Sequence, residues 1–196
     1  MNRSTRVMIT AAAALTVVAP AGVHAATPEP AAETATLAGT CVTSGRIGYA
    51  ENVGPTGPAD GSTAFKYLGT GTCFGAAGGQ TLPDSGAPAL MTMEGDSGPG
   101  SCAAGTFTGG PIRLIIEVPK GRRVQVDARL EGLVTAGRDL NGQTTFAEGG
   151  GAPITGRFQG DLRGPRACLE GRLRAASVFF EVGPVNVDPL SALPKG

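Results

Sequence analysis

The chain has 196 residues, with 16 basic and 16 acidic side chains and a formal net charge of zero at pH 7. Because positive charge is not in excess, the composition excludes a general nucleic-acid binder and a cationic membrane binder. Its 32 glycines and 15 prolines interrupt the chain too often for long helices.

Residues 1–25 predict a secretory signal peptide. Arg3 and Arg6 precede an apolar run over residues 7–19, and Val23 and Ala25 are the small residues that a cleavage site requires. The run is shorter than the roughly 20 apolar residues that span a bilayer, and no later segment approaches that length. We therefore predict cleavage near Ala25, a secreted or cell-envelope location, and no membrane span.

Cleavage would remove His24, the single histidine of the chain. Without histidine, hydrolases that use a histidine base and thiol proteases are excluded. The loss of Arg3 and Arg6 would leave 14 basic against 16 acidic side chains, a net charge of −2. The run 95–99, Gly-Asp-Ser-Gly-Pro, resembles the serine box of trypsin-like proteases, but without a histidine we interpret it as a glycine-rich turn.

The remaining chain predicts one all-β domain over residues 35–182, between a flexible leader at 26–34 and a flexible tail at 183–196. Short alternating segments lie between turn signals, which favours an antiparallel β-sandwich or barrel. In chain order, the strands expected are 35–42, 63–74, 88–94, 102–108, 112–118, 124–130, 144–148, 154–162, 166–175 and 177–182.

The clearest element is a hairpin in which 112–118 pairs with 124–130. Apolar residues must face each other across the pair, since a slip of one residue turns every side chain to the wrong face. Pairing Val118 with Val124 satisfies this condition and requires a loop with an odd number of residues, Lys120 to Arg122.

Glycine-rich joints predict surface loops at 54–61, 78–86 and 95–100. Long loops on a rigid scaffold are where recognition usually occurs. We therefore expect a contact surface at 52–62, 79–100 and 135–143.

The four cysteines of an exported chain predict two disulfides, with three possible pairings. Cys41 and Cys73 each share a strand face with apolar or glycine residues. Cys168 falls on a polar face of a predicted strand, and Cys102 lies at a loop-to-strand junction. These faces favour Cys41–Cys73 and Cys102–Cys168. Because the chain has no Cys-x-x-Cys and no histidine partner, we expect neither a metal ion nor a cofactor.

The cysteines lie in glycine- and threonine-rich segments at 37–41, 67–75, 101–102 and 167–168, with a Gly-x-Gly-x-Cys-x-Gly centre at 69–75. This arrangement resembles a group of uncharacterised exported actinobacterial proteins with four cysteines in the same order. The resemblance covers about residues 35–182 and implies an exported all-β protein. It implies no activity and no functional residues.

A basic group is the main candidate site. Arg163, Arg166, Arg172 and Arg174 fall close together in sequence, and Lys120, Arg122 and Arg123 of the hairpin could converge with them. Such a group could hold an anionic ligand or an acidic protein patch. The alternative is a solvated face balanced by Glu170 and Asp161.

Paired carboxylates could serve a glycosidase. The candidate pairs are Glu94 with Asp96 and Asp127 with Glu131, although the chain has only two tyrosines and no tryptophan to form a sugar platform. We therefore predict a non-catalytic exported binding or envelope-associated module, with a carboxylate-dependent secreted hydrolase as the alternative. The expected partner is another exported protein or an anionic ligand.

Overall fold

A computed structural model of the chain describes residues 33–58, 61–101, 104–159 and 163–185. The predicted signal peptide, most of the leader, Cys102 and the tail beyond Val185 lie outside the described residues. The strands are β1 (Glu33–Thr34), β2 (Leu37–Gly54), β3 (Gly57–Pro58), β4 (Thr63–Ala77), β5 (Gln80–Thr81), β6 (Ala87–Ser101), β7 (Ala104–Val118), β8 (Arg122–Ala136), β9 (Asp139–Phe146), β10 (Gly151–Gln159) and β11 (Leu173–Val182). A 3₁₀ turn, Pro119–Gly121, joins β7 to β8, and helix α1 (Arg163–Leu169) lies between β10 and β11.

The eight long strands form one antiparallel sheet that closes on itself. Neighbours are paired in the order β2-β11-β10-β9-β8-β7-β6-β4, and β4 pairs back with β2 from Leu37↔Ala77 to Tyr49↔Phe65. The predicted all-β, antiparallel class is confirmed. Short strands add at the margins, where β1 pairs parallel with β8 through Glu33↔Val124.

Alternation along each strand sends one set of side chains into the ring and the other to solvent. On β7, Leu114 and Ile116 are completely buried, while Arg113 before them and Glu117 after them are exposed. Large side chains at most 2% exposed fill the interior, among them Phe65, Tyr67, Met91, Met93, Leu114, Ile116, Leu130 and Phe180. The ring therefore encloses a packed core.

Tyr67 anchors the middle of this core. Its ring meets Phe180 edge to face with 4.9 Å between centroids. Its hydroxyl lies 3.1 Å from Oγ1 of Thr43, which also donates to the Met91 sulfur at 3.4 Å. Burial raises the pKa of the Tyr67 hydroxyl, although the hydrogen bond with Thr43 opposes that rise. A polar group in the core thus has the partner that burial requires.

The β7–β8 hairpin has a loop with an odd number of residues, as predicted, but its strands pair in a different register. Ile116 pairs with Val124 and Val118 with Arg122, so the loop is Pro119 to Gly121. The prediction of an odd loop is confirmed, whereas the pairing of Val118 with Val124 is wrong by two residues. A shift of two keeps every side chain on its face, so alternation alone does not distinguish the two registers.

Two local predictions are wrong. Residues 95–100, expected as a surface loop, belong to β6. Residues 95–97 pair with β4, and Asp96, Ser97 and Gly100 pair with β7 across two register shifts. Residues 166–175, expected as one strand, form the end of α1 and the start of β11. The bulges explain the first error, since they allow glycine and proline inside a continuous strand.

The end of α1 explains the second error. Gly171 has φ 67°, its N–H donates to the Cys168 carbonyl, and the N–H of Arg172 donates to the Ala167 carbonyl. These two bonds form the Schellman motif that ends a helix at a left-handed glycine. Pro165 falls in the first turn, where a missing N–H costs no helical bond.

Cys41 and Cys73 are bonded to each other across β2 and β4. They are direct register partners, and both are at most 1% exposed. The predicted Cys41–Cys73 disulfide is confirmed. Both cysteines face the interior, which is the reason for which they were predicted to pair. Cys168 is buried on α1 and is not a free thiol, which corrects its expected place on a polar strand face. Its predicted partner Cys102 lies outside the described residues, so the second pairing stays a prediction.

Across the described residues, no helix has the length and apolar character that a bilayer crossing requires.

Candidate functional site

The ring has two ends that carry different groups. The connections that follow β6, β8 and β10 lie at the first, which also carries α1; we call it the α1 end. The connections that follow β4, β7 and β9 lie at the second, together with β1; we call it the β1 end. Of the predicted contact segments, 52–58 and the β8–β9 turn lie at the α1 end, whereas the turn at 82–86 lies at the β1 end. The rest of 79–100 and 135–143 lies mostly in β6, β8 and β9, so these parts are strands of the wall and not loops as expected.

Three of the four arginines predicted as an anion patch are described with their side chains at the α1 end. Nε of Arg166 donates to Glu170 at 2.9 Å, and Arg172 contacts the other oxygen of the same carboxylate. Their side chains remain 80% and 70% exposed. Nothing is described of the Arg163 side chain. The carboxylate of Glu170 therefore joins two arginines and neutralises part of their charge.

Arg174 lies on β11 and has different partners. Its Nε donates to Oδ1 of Asn52 at 2.9 Å, and its NH1 donates to the Ala50 carbonyl at 2.9 Å. Both partners are neutral, so the guanidinium keeps its full positive charge. Arg174 is held on the wall of the ring by β2 and is the best preorganised cation of the predicted group.

The basic hairpin does not join this group. Lys120, Arg122 and Arg123 lie at the β1 end, at the opposite end of the strands from α1. Arg122 contacts Glu33 of β1, and Arg123 pairs with Glu117 at 3.3 Å. The expected convergence of the hairpin with the other arginines is wrong because β7 and β8 run the length of the ring between them.

The two arginines lower the pKa of the Glu170 carboxyl from its ordinary value of 4.5, first through the hydrogen bond from Arg172 and then through that from Arg166. A lowered pKa means that the ion pairs favour folding above the ordinary pKa and lose that effect as pH falls through the lowered value. We expect Arg172→Gln to raise the pKa of Glu170 toward 4.5, measured by carboxyl-carbon NMR titration.

Arg174→Gln is the matched control for this titration. It removes an arginine two residues further along the chain that binds Asn52 and Ala50 instead of Glu170. The pKa of Glu170 should then stay where it is in the parent. An unchanged pKa in Arg172→Gln would show that the Arg172–Glu170 contact does not persist in solution.

The carboxylates of the predicted pairs lie on the outer wall, where Glu94 and Asp127 form ion pairs with basic side chains. Glu94 pairs with Lys66 at 3.0 Å, and Asp127 pairs with Arg113 at 3.3 Å. Asp127 also accepts two bonds from the side-chain amide of Gln125. Asp96 and Glu131 are exposed on the same strands as Glu94 and Asp127, so neither pair faces across a cleft.

A cavity of about 70 Å³ lies at the β1 end. Its lining includes Leu37, Phe146 and Val185, with Asp127 and Glu148 as the charged residues. Sites for drug-sized ligands occupy about 300–1,000 Å³. This cavity has room for a few water molecules or one small side chain.

A group of three or more potential metal-binding side chains does not occur within the described residues. Compared with known proteins, the chain matches no family model, no curated protein and no solved structure. The resemblance to exported actinobacterial chains thus rests on the cysteine and glycine motifs alone, and it remains a proposal.

Sequence reasoning missed two features of these surfaces. Asn52, the partner of Arg174, lies 122 residues away in sequence and becomes its neighbour only through the β2–β11 pairing. Glu148, next to Asp127 in the cavity lining, follows the end of β9 and had no motif to mark it. The Pro165 and Gly171 signals could have identified α1, and with it the contact between Arg166 and Glu170 one helical turn apart.

Proposed function

We propose that this protein is an exported, non-catalytic binding or envelope-associated module that acts through its outer surface. The single observation that carries the proposal is the filled interior of the closed sheet. Side chains such as Tyr67, Met91 and Phe180 occupy the space in which a ligand-carrying ring holds its ligand. Recognition is then left to the walls and the ends.

The α1 end is the surface that we assign to an anionic partner. Arg174 is fixed by the neutral groups of Asn52 and Ala50, and Arg166 and Arg172 share the carboxylate of Glu170. Guanidinium groups held in place bind carboxylate and phosphate with two bonds each. An acidic patch on another exported protein, or an anionic envelope polymer, has the matching chemistry.

We further propose that the closed sheet is the barrel rather than the sandwich form, because β2 pairs along its length with both β4 and β11. A second disulfide, Cys102–Cys168, would tie α1 to the β6–β7 connection at the same end. It would hold the arginine-bearing segment against the ring.

Binding to isolated actinobacterial envelopes tests the proposal. The purified protein should sediment with the envelopes in a saturable way and release no soluble products. Arg172→Gln/Arg174→Gln should weaken this binding about 30-fold, since each of the two guanidinium contacts to an anion contributes roughly 1 kcal/mol. The matched control, Lys120→Gln/Arg122→Gln at the β1 end, should leave binding unchanged.

The hydrolase alternative predicts a different result. Released sugars or acids that disappear in Glu94→Gln or Asp127→Asn would replace the binding proposal with a carboxylate-dependent hydrolase. Export is tested separately by N-terminal sequencing of protein from the culture medium, which should begin near residue 26. Leu15→Asp, which interrupts the apolar run, should keep the protein in the cells.

A further inference from the structure

The outer wall formed by β4, β6, β7 and β8 carries a row without charge. Thr70 pairs with Leu90, Leu90 with Ile115, and Ile115 with Gln125, so these four outward side chains lie side by side across the strands. Thr70 is exposed, and the other three are partly exposed. We call Thr70, Leu90, Ile115 and Gln125 the central row. Leu68 and Phe74 lie on the same face of β4, before and after Thr70, and are 58% and 41% exposed. Together these residues form an uncharged, largely apolar face on a sheet that has its core on the other side.

Charged residues lie on both sides of the central row in an alternating arrangement. One step toward the α1 end, Thr92 pairs with Arg113, and Arg113 with Asp127. One step toward the β1 end, Glu117 pairs with Arg123. On β7 the order is thus Arg113, Ile115, Glu117, and on β8 it is Arg123, Gln125, Asp127.

This order is complementary to itself. A two-fold axis that lies in the plane of contact and runs along the central row brings that row onto the same row of a second copy. The same rotation exchanges the flanking rows. Arg113 then lies opposite Glu117 of the second copy, and Asp127 lies opposite Arg123 of the second copy. Two-fold contacts of this kind bury one patch of surface against its own copy.

We propose that the protein forms a two-fold homodimer through this face, with Leu90 and Ile115 at its centre. The partner is a second copy because each charge on the rim meets an opposite charge when the face meets itself, and the centre is uncharged. Apolar centres with charged rims are the usual composition of protein interfaces. Because the sheet is closed, its outer face curves away, and the contact is confined to a few neighbouring strands. The inference is independent of what the α1 end binds.

Sedimentation and light scattering of the purified protein test this inference. We expect a dimer at about 10 μM that dissociates on dilution. Ile115→Lys places two like charges against each other on the axis and should give a monomer with an unchanged circular-dichroism melting curve. Thr106→Lys is the control, since this exposed residue lies on the outer side of β7 near its start, away from the central row.

A charge reversal tests the register of the contact. Arg113→Glu brings a carboxylate opposite Glu117 of the second copy and should weaken the dimer about tenfold. Arg113→Glu/Glu117→Arg restores opposite charges and should recover most of the loss. Within one copy these changes replace the pairs with Asp127 and Arg123 by like charges, but all four side chains are at least one third exposed, so the effect on folding is small.

Three results would overturn the proposal. One is a protein that stays monomeric at about 200 μM, and another is a dimer that Ile115→Lys leaves intact. The third is binding of the monomer to envelopes that Ile115→Lys abolishes, which would assign the face to an envelope partner instead of a second copy. Loss of the dimer together with full recovery by the double reversal would establish both the face and the axis.

Discussion

Replacing Cys41 and Cys73 together with alanine should lower the free energy of unfolding by about 3.7 kcal/mol, from the loop entropy of the 32-residue separation. The disulfide joins β2 to β4, the pair that closes the sheet. Without it, the unfolded chain gains freedom while the native packing changes little, because both side chains are small and buried. For a domain of this size the melting temperature should fall by about 10 °C, measured by calorimetry.

Reduction provides the control for this experiment. In excess dithiothreitol the parent also loses the Cys41–Cys73 bond, so parent and double variant should unfold at nearly the same temperature. Any disulfide of Cys168 is reduced in both proteins and cancels in the comparison. If the double variant has the same melting temperature as the oxidised parent, the bond does not constrain the unfolded chain, and the entropy argument fails.

Gly71→Ala should destabilise the protein by about 3 kcal/mol or more, measured by urea unfolding. A Cβ at this position would lie 1.9 Å from the Val42 carbonyl oxygen and 2.7 Å from the Thr43 Cα. Both are backbone atoms of β2, so the clash cannot be relieved by rotating a side chain. The two strands would have to separate where the sheet closes.

Gly48→Ala is the matched control on the same strand pair. A Cβ there has the Lys66 carbonyl oxygen, at 4.0 Å, as its nearest neighbour. We expect a change within about 0.5 kcal/mol, since the loss of chain freedom in the unfolded state is the main effect. Equal effects of the two substitutions would show that β2 and β4 are further apart at Gly71 than the structure places them.

The arginines of the candidate site lie where the sequence predicted a basic group, but their partners differ from those expected. Arg166 and Arg172 contact the same carboxylate because a helix turn and its glycine cap bring them to Glu170. If these residues formed a single strand, their side chains would lie on one exposed face and would have no common partner. The hairpin basic residues, which look like neighbours of this group in composition, lie at the other end of the ring.

The sequence by itself determined the β class, the inward facing of Cys41 and Cys73 and the parity of the β7–β8 loop. All three follow from alternation with a period of two, which is a local property of an extended chain. Alternation did not determine the hairpin register to better than two residues, because a shift of two preserves every face.

Only the tertiary structure decided that the sheet closes, that Asn52 meets Arg174, and that Arg113, Ile115 and Glu117 belong to a self-complementary face. Each of these depends on which strands become neighbours, and pairing between distant strands is chosen by the packing of the whole core. The helix at Arg163–Leu169 differs from these features, because Pro165 in its first turn and Gly171 at its end mark it locally. The tertiary structure adds the burial of Cys168 to these local signals.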